Sequence, residues 1–176
     1  MNKYLLEQLY KRYYRELYLY IYSLSSNCTV TDDILQDTFL KAWLSLKDSH
    51  TNMRAWLYMV ARNLYYNYYK KAKTLASLEA IHTEDAAPVS EYFIKKDVLE
   101  EILQKEGTKQ LWEAIHHLKG QQKEVILLQY FGDFSQREIA AMLRLTTGSV
   151  KMLAYRAKKE LKKYLISYRR EQDDLS

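Results

Sequence analysis

The stretch Ser135–Arg156, SQREIAAMLRLTTGSVKMLAYR, decides how this chain is read. Ser135 followed three residues later by Glu138 is a capping box. The serine hydroxyl accepts from a free amide of the first helical turn, and the glutamate reaches back to the serine amide. A short helix starts there, runs through Ile139, Ala140, Met142 and Leu143, turns at Arg144, Leu145 and Thr146, and restarts with Thr147, Gly148, Ser149 and Val150. This is helix-turn-helix spacing. Ala140 is small enough for two helices to approach, and Ile139, Leu145, Val150 and Ala154 can bury the seam between them. The second helix is then free to enter the major groove, offering Thr147, Ser149, Lys151, Met152, Tyr155 and Arg156. Lys151 and Arg156 can pair with guanine O6 and N7, and Met152 can pack on a thymine methyl. An ordinary helical hairpin with a basic exterior has the same pattern, but cap, spacing and charge together favour DNA.

Composition agrees with an all-α chain. Among 176 residues there are 4 Gly and 1 Pro, too few for the regular turns of an all-β or α/β protein, while 48% hydrophobic content supports a buried core. The 17 tyrosines are unusual. A single cysteine, Cys28, forms no internal disulfide, and the N-terminus shows no secretory leader, so the cytoplasm is the expected compartment. The most aromatic stretch, Ala55 to Tyr69, is interrupted by Arg62, Asn63 and Asn67 and falls short of the ~20 apolar residues of a membrane span.

The formal charge of +5 is unevenly spread. Arg54 to Lys73 holds five basic residues and no acid, and Lys151 to Arg170 holds eight against Glu160 alone. Between them, Glu79 to Glu106 carries eight acids and three bases. Two basic surfaces flanking an acidic connector suit a protein that grips an extended polyanion at two places.

Helical periodicity runs from Leu5 to Leu24, broken by Ser25, Ser26 and Asn27. Thr29 with Asp32 is the expected cap of a second helix, whose face is Ile34, Leu35, Phe39, Ala42, Trp43 and Leu46, with Phe39 and Trp43 expected in the core. A third helix is expected from Met53 to about Lys71. Thr74 to Ser90 holds the single proline, Pro88, and weak periodicity, which places an interdomain linker at 74–90. Helical stripes then resume at Val98, Ile102 and Leu103, and continue from Leu111 to Phe131, punctuated by Gly107, Gly120 and Gly132. His116 and His117 precede Gly120 at a helix end, where an imidazolium is favourable and no metal is needed.

Leu118 to Leu161 closely resembles the C-terminal promoter-binding region of extracytoplasmic-function sigma factors. TDDILQDTFLKAW, Thr31 to Trp43, resembles that family's polymerase-binding helix, and AWLYMVARNLYYNYYKK, Ala55 to Lys71, its helix for the melted promoter element. The resemblance implies two small helical domains joined by a flexible linker: region 2 at 1–73, linker at 74–90, region 4 at 91–172 and a tail at 173–176. It implies a sigma factor that binds core RNA polymerase and directs promoter-specific initiation without catalysis of its own. The implied partners are the clamp helices of the largest subunit, the flap of the second-largest subunit, promoter DNA and an anti-sigma protein, sometimes membrane-anchored. Asp33, Gln36 and Asp37 would dock on polymerase. Ser49, His50, Asn52, Arg54, Trp56, Arg62, Asn63, Tyr66 and Lys70 would hold the minus-ten element. Arg137 and Lys159 join Thr147, Ser149, Lys151, Met152, Tyr155 and Arg156 on the minus-thirty-five element.

The chain departs from the pattern at Met59, where a basic residue is common, and at Met152 and Leu153, which replace a frequent serine and arginine and imply an atypical minus-thirty-five sequence. Two rival readings remain. A stand-alone operator-binding regulator explains the C-terminal half alone. A metal-dependent nuclease using Asp32, Asp33 and Asp37 lacks His or Cys at ligand spacing. No metal, cofactor or small-molecule substrate is expected.

Overall fold

The computed structural model describes residues 3–45, 52–79 and 108–173. Seven helices carry them: α1 (Lys3–Ser25), α2 (Cys28–Ser45), α3 (Met53–Glu79), α4 (Thr108–His117), α5 (Gly120–Tyr130), α6 (Gln136–Leu143) and α7 (Thr147–Asp173). No strand occurs among these residues. The chain divides into two compact units, Met1–Ile94 and Lys95–Ser176. Ser49 and His50, the stripe Val98, Ile102 and Leu103, and the linker beyond Glu79 lie outside the described residues.

In the first unit α1, α2 and α3 pack pairwise. Leu17, Tyr20 and Ile21 of α1, Ile34, Leu35, Phe39 and Ala42 of α2, and Leu57, Tyr58 and Ala61 of α3 fill the core. Tyr20 and Tyr58 are fully buried, with ring centroids 5.1 Å apart. Beside them Arg54 donates from Nε and Nη2 to both carboxylate oxygens of Glu16, each at 3.2 Å, tying α3 to α1 with a forked ion pair. Tyr65 Oη donates to the Leu24 carbonyl at 2.8 Å, closing the far end of the same two helices.

Three expectations are corrected here. Helix α2 begins at Cys28, capped by Asn27, whose Oδ1 accepts from Val30 N at 3.0 Å. Asparagine outranks threonine as a cap, and Ser26 at φ 52° turns the chain within two residues of α1, so Thr29 falls inside the helix. Trp43 is not core but 38% exposed. Helix α3 runs eight residues past Lys71 to Glu79, because Ala72, Leu75, Ala76 and Leu78 are strong helix formers. The first residues of the expected linker are therefore helical.

In the second unit α5, α6 and α4 all pack on α7. The core holds Trp112, Ile115 and Leu118, then Val125 to Leu128, Phe134, Ile139, Met142 and Leu143, then Val150, Ala154 and Ala157. The chain leaves α5 through buried Gly132, where an added Cβ would lie 2.6 Å from the Phe134 ring and 2.7 Å from the Leu128 carbonyl. That carbonyl also accepts from Phe134 N, so the turn has no slack. At His116 burial opposes the imidazolium that the helix end was expected to favour. Burial is the main influence and moves its pKa below the usual 6.5, and nearby Lys123 and His117 act in the same direction. Its Nδ1 lies 3.0 Å from the Trp112 carbonyl, to which a neutral Nδ1–H donates.

Two outcomes follow from this packing. Gly132→Ala is expected to lower unfolding free energy by about 1–3 kcal/mol, the scale of overpacking, seen as an earlier midpoint in denaturant. His116 is harder to protonate folded than unfolded, so its contribution is complete above pH 6.5 and is lost progressively as pH falls below that value toward the folded pKa. Thermal unfolding across that window should show a smaller acid-side loss in His116→Gln than in the wild-type protein.

Candidate nucleic-acid and partner-binding surfaces

Helices α6 and α7 form the helix-turn-helix expected from Ser135–Arg156. Ser135 caps α6: its Oγ accepts from Glu138 N at 3.3 Å, and its own amide donates to Glu138 Oε2 at 2.8 Å. The turn passes through Arg144 at φ 54°, and Leu145 N donates to the Ala140 carbonyl at 2.9 Å. Thr146 caps α7, its Oγ1 accepting from Ser149 N at 3.1 Å and pairing with Ser149 Oγ at 2.9 Å. Ile139, Val150 and Ala154 bury the seam, while Leu145 is half-buried.

Burial of Val150, Ala154 and Ala157 determines which residues point outward, because the helical period sends Met152, Tyr155, Arg156 and Lys159 to the opposite side. All four are exposed, Met152 by 50% and Tyr155 by 65%. Thr147, Ser149 and Lys151 lie exposed at the start of the same helix, and Arg137 is exposed on α6. The sequence-predicted residues of this half are thus all exposed on the second unit, with apolar Met152 on the same side of α7 as Tyr155, Arg156 and Lys159. Tyr130 is an exposed aromatic that the sequence reading missed: it is 59% exposed at the end of α5, with Lys158 Nζ 5.5 Å from its ring centre. Its exposure was hidden in an otherwise apolar run.

On α2, Thr31, Ile34, Leu35, Thr38, Phe39 and Ala42 face inward. The opposite stripe carries Asp33, Gln36 and Asp37, all exposed, and continues into Leu40 (54% exposed), Trp43 and Leu44 (72% exposed). Sequence reasoning found the polar part and missed the apolar extension, although Asp33, Asp37, Leu40 and Leu44 already stand at helical spacing. Asp32 is engaged elsewhere, receiving the Tyr14 hydroxyl at 3.3 Å. Among the described residues no three His, Cys, Asp or Glu side chains come together that could hold a metal ion.

The residues expected on α3 separate into two sets. Asn52 caps the helix, Oδ1 accepting from Ala55 N at 3.0 Å. Arg54 is committed to Glu16, and Trp56 is half-buried. Further along, Asn63, Tyr66 and Lys70 are exposed, and Arg62 lies 4.7 Å above the Tyr66 ring. Tyr68 and Tyr69 are exposed too, Tyr69 toward the same side of α3 as Tyr66 and Tyr68 toward the opposite one. No described helix is long and apolar enough to cross a membrane.

Two family descriptions match the chain: Sigma-70 region 2 over residues 9–74 and Sigma-70 region 4 over residues 108–161. RNA polymerase sigma factor YlaC of Bacillus subtilis is 30% identical over 173 residues, which cover 95% of each protein. ECF RNA polymerase sigma factor SigX of the same organism is 24% identical over 93% of this chain and 84% of that one. The solved sigma factor RpoE of Bartonella quintana, in complex with the anti-sigma factor NepR, shares the fold with a TM-score of 0.69. It is 24% identical, over 90% of this chain and 95% of that chain.

Proposed function

The chain belongs to the sigma-70 family of RNA polymerase sigma factors, in its extracytoplasmic-function class, and from that premise we propose how its two units divide the work of promoter selection. The family's task, promoter-specific initiation with core polymerase, needs one surface for the enzyme and two for DNA. The observation that carries the division is that α2, α3 and α7 each bury one face and leave the opposite one chemically distinct.

The exposed stripe of α2 docks on the clamp helices of the polymerase largest subunit. Asp33, Gln36 and Asp37 set register and charge, while Leu40, Trp43 and Leu44 supply the apolar area that gives such an interface its affinity. The second unit makes the further contact with the flap of the second-largest subunit. The protein performs no catalysis of its own and works in the cytoplasm, where core polymerase does the chemistry.

Helix α7 enters the major groove of the minus-thirty-five element. Lys151 and Arg156 reach base edges or phosphates, and Met152 packs where a thymine methyl projects. Arg137, Thr147, Ser149, Tyr155 and Lys159 fix the register through the backbone. On α3, Arg62, Asn63, Tyr66 and Lys70 receive the separated minus-ten strand, aromatic faces stacking on bases for about 1–3 kcal/mol each and cations holding phosphates. Ser49 and His50 complete that site, and Asn52, Arg54 and Trp56 position it by setting the start of α3. Region 2 is taken from residue 1 to 73, with α3 running on to Glu79 into the expected linker, and region 4 from 91 to 172. An anti-sigma protein, by analogy with the RpoE–NepR complex, covers the apolar and basic surfaces when the factor is idle.

Run-off transcription with purified core polymerase on pooled genomic promoters tests this reading. The protein is expected to add start-site-specific transcripts, and Asp37→Arg to weaken core binding on the order of tenfold, the effect of about 1.4 kcal/mol at an interface charge. If no new start sites appear while the protein alone still shifts duplex DNA, an operator-binding regulator replaces it. In duplex binding, Lys159→Ala should weaken all sequences alike and reduce the slope of log affinity against log salt by about 1.

A further inference from the structure

Helix α7 carries its charge unevenly around its axis. Lys151, Tyr155, Lys158 and Lys162 recur at spacings of four, three and four, which sets them along one flank of the helix, between the buried seam and the outward Met152. All four are exposed. Tyr130, the last residue of α5, stands beside that flank: it is 59% exposed, and the Lys158 ammonium lies over its ring, 5.5 Å from the centre. The opposite flank carries Ser149, Arg156 and Glu160, with the carboxylate one turn from the guanidinium. Lys159 and Lys163 stand between the two flanks. From Thr147 to Lys163 the single acid is Glu160. One flank therefore holds three cations and no acid, while on the other a cation and an acid offset each other.

An α-helix with its side chains is about 10–12 Å across and the major groove about 12 Å wide, so a helix lying in the groove meets a row of phosphates on each side. We propose that α7 binds the backbone of one DNA strand more tightly than that of the other, through Lys151, Lys158 and Lys162, with Tyr130 as the positioning residue for Lys158. This rests on the reading of α7 as the helix that enters the groove, and adds to it a choice of strand and two residues, Tyr130 and Lys158, outside the base-reading set. Tyr130 acts through its ring. The negative face of the ring attracts the ammonium, which keeps the lysine at the flank instead of letting it sweep through solvent. Phosphates carry no sequence, so these contacts do not choose the bases. They fix which strand lies against the cationic flank, and with it the direction in which the helix runs along the element.

The probe is a duplex that the full chain selects from a random-sequence pool, prepared with neutral methylphosphonate linkages in one strand or in the other. Neutralising one strand is expected to weaken wild-type binding about tenfold more than neutralising the other, the scale of one or two lost phosphate contacts. Lys158→Ala should weaken the unmodified duplex roughly fivefold near 0.1 M salt, lower the slope of log affinity against log salt by about 0.9, and shrink the difference between strands. Tyr130→Ala should reproduce part of that loss and add nothing in the Lys158→Ala background, whereas Tyr130→Phe, which keeps the ring, should bind as the wild type does. Equal losses from the two strands, or an unchanged strand difference in Lys158→Ala, would overturn the proposal and leave the groove reading in place. Tyr130→Phe as weak as Tyr130→Ala would overturn the role of the ring. If the pool yields no bound duplex, the groove reading fails and this inference falls with it.

Discussion

An α-helix that buries one face must present the other, and the exposed faces of α2 and α7 depend on that constraint. In α2, burial of Ile34, Leu35, Phe39 and Ala42 turns Asp33, Gln36, Asp37, Leu40 and Leu44 outward together. In α7, burial of Val150, Ala154 and Ala157 does the same for Met152, Tyr155, Arg156 and Lys159. The apolar seam therefore acts as the positioning device, since rotating either helix by one residue would bury charge and expose the core. The caps at Asn27, Ser135 and Thr146 add to this by setting where each helix begins.

Two buried hydroxyls inside the first unit are matched locally, so the core tolerates them. Buried Ser23 donates to the Leu19 carbonyl at 2.6 Å and buried Thr38 to the Ile34 carbonyl at 2.7 Å, each one helical turn back. The Glu16–Arg54 pair keeps about a quarter of each side chain in contact with solvent, which limits the desolvation a fully buried pair would incur. Its carboxylate, second to burial itself, helps keep the Tyr58 phenol protonated. The abundant tyrosines thus perform three physical tasks. Tyr20 and Tyr58 fill the core, Tyr65 ties α3 to the end of α1, and Tyr66, Tyr68 and Tyr69 remain exposed, Tyr66 beneath Arg62.

Much of the architecture was legible along the chain. The all-α class, the capping box at Ser135 and the helix-turn-helix seam are local patterns, and local hydrogen bonding and helical periodicity decide them. The outward set on α7 was legible for the same reason. Misreadings occurred where two local signals competed. Thr29 with Asp32 matched a cap pattern, but Asn27 was closer to the reversal at Ser26 and took the role. Trp43 was expected inside because tryptophan is apolar, yet the stripe through Thr38, Phe39 and Ala42 had already filled that side of α2.

By itself the sequence determined the all-α class, the capping box at Ser135, the helix-turn-helix seam and the alternation of basic and acidic stretches, because local hydrogen bonding, helical periodicity and residue type decide each of these. Only the tertiary structure decided which similar side chains do different work. Arg54 meets Glu16 from 38 positions away, and Tyr65 meets the Leu24 carbonyl from 41, whereas Arg62 and Tyr66 on the same helix stay at the surface. Nothing local separates Arg54 from Arg62 or Tyr65 from Tyr66. The packing of α3 against α1 does, by fixing which side of a helix aromatic on nearly every face is turned inward.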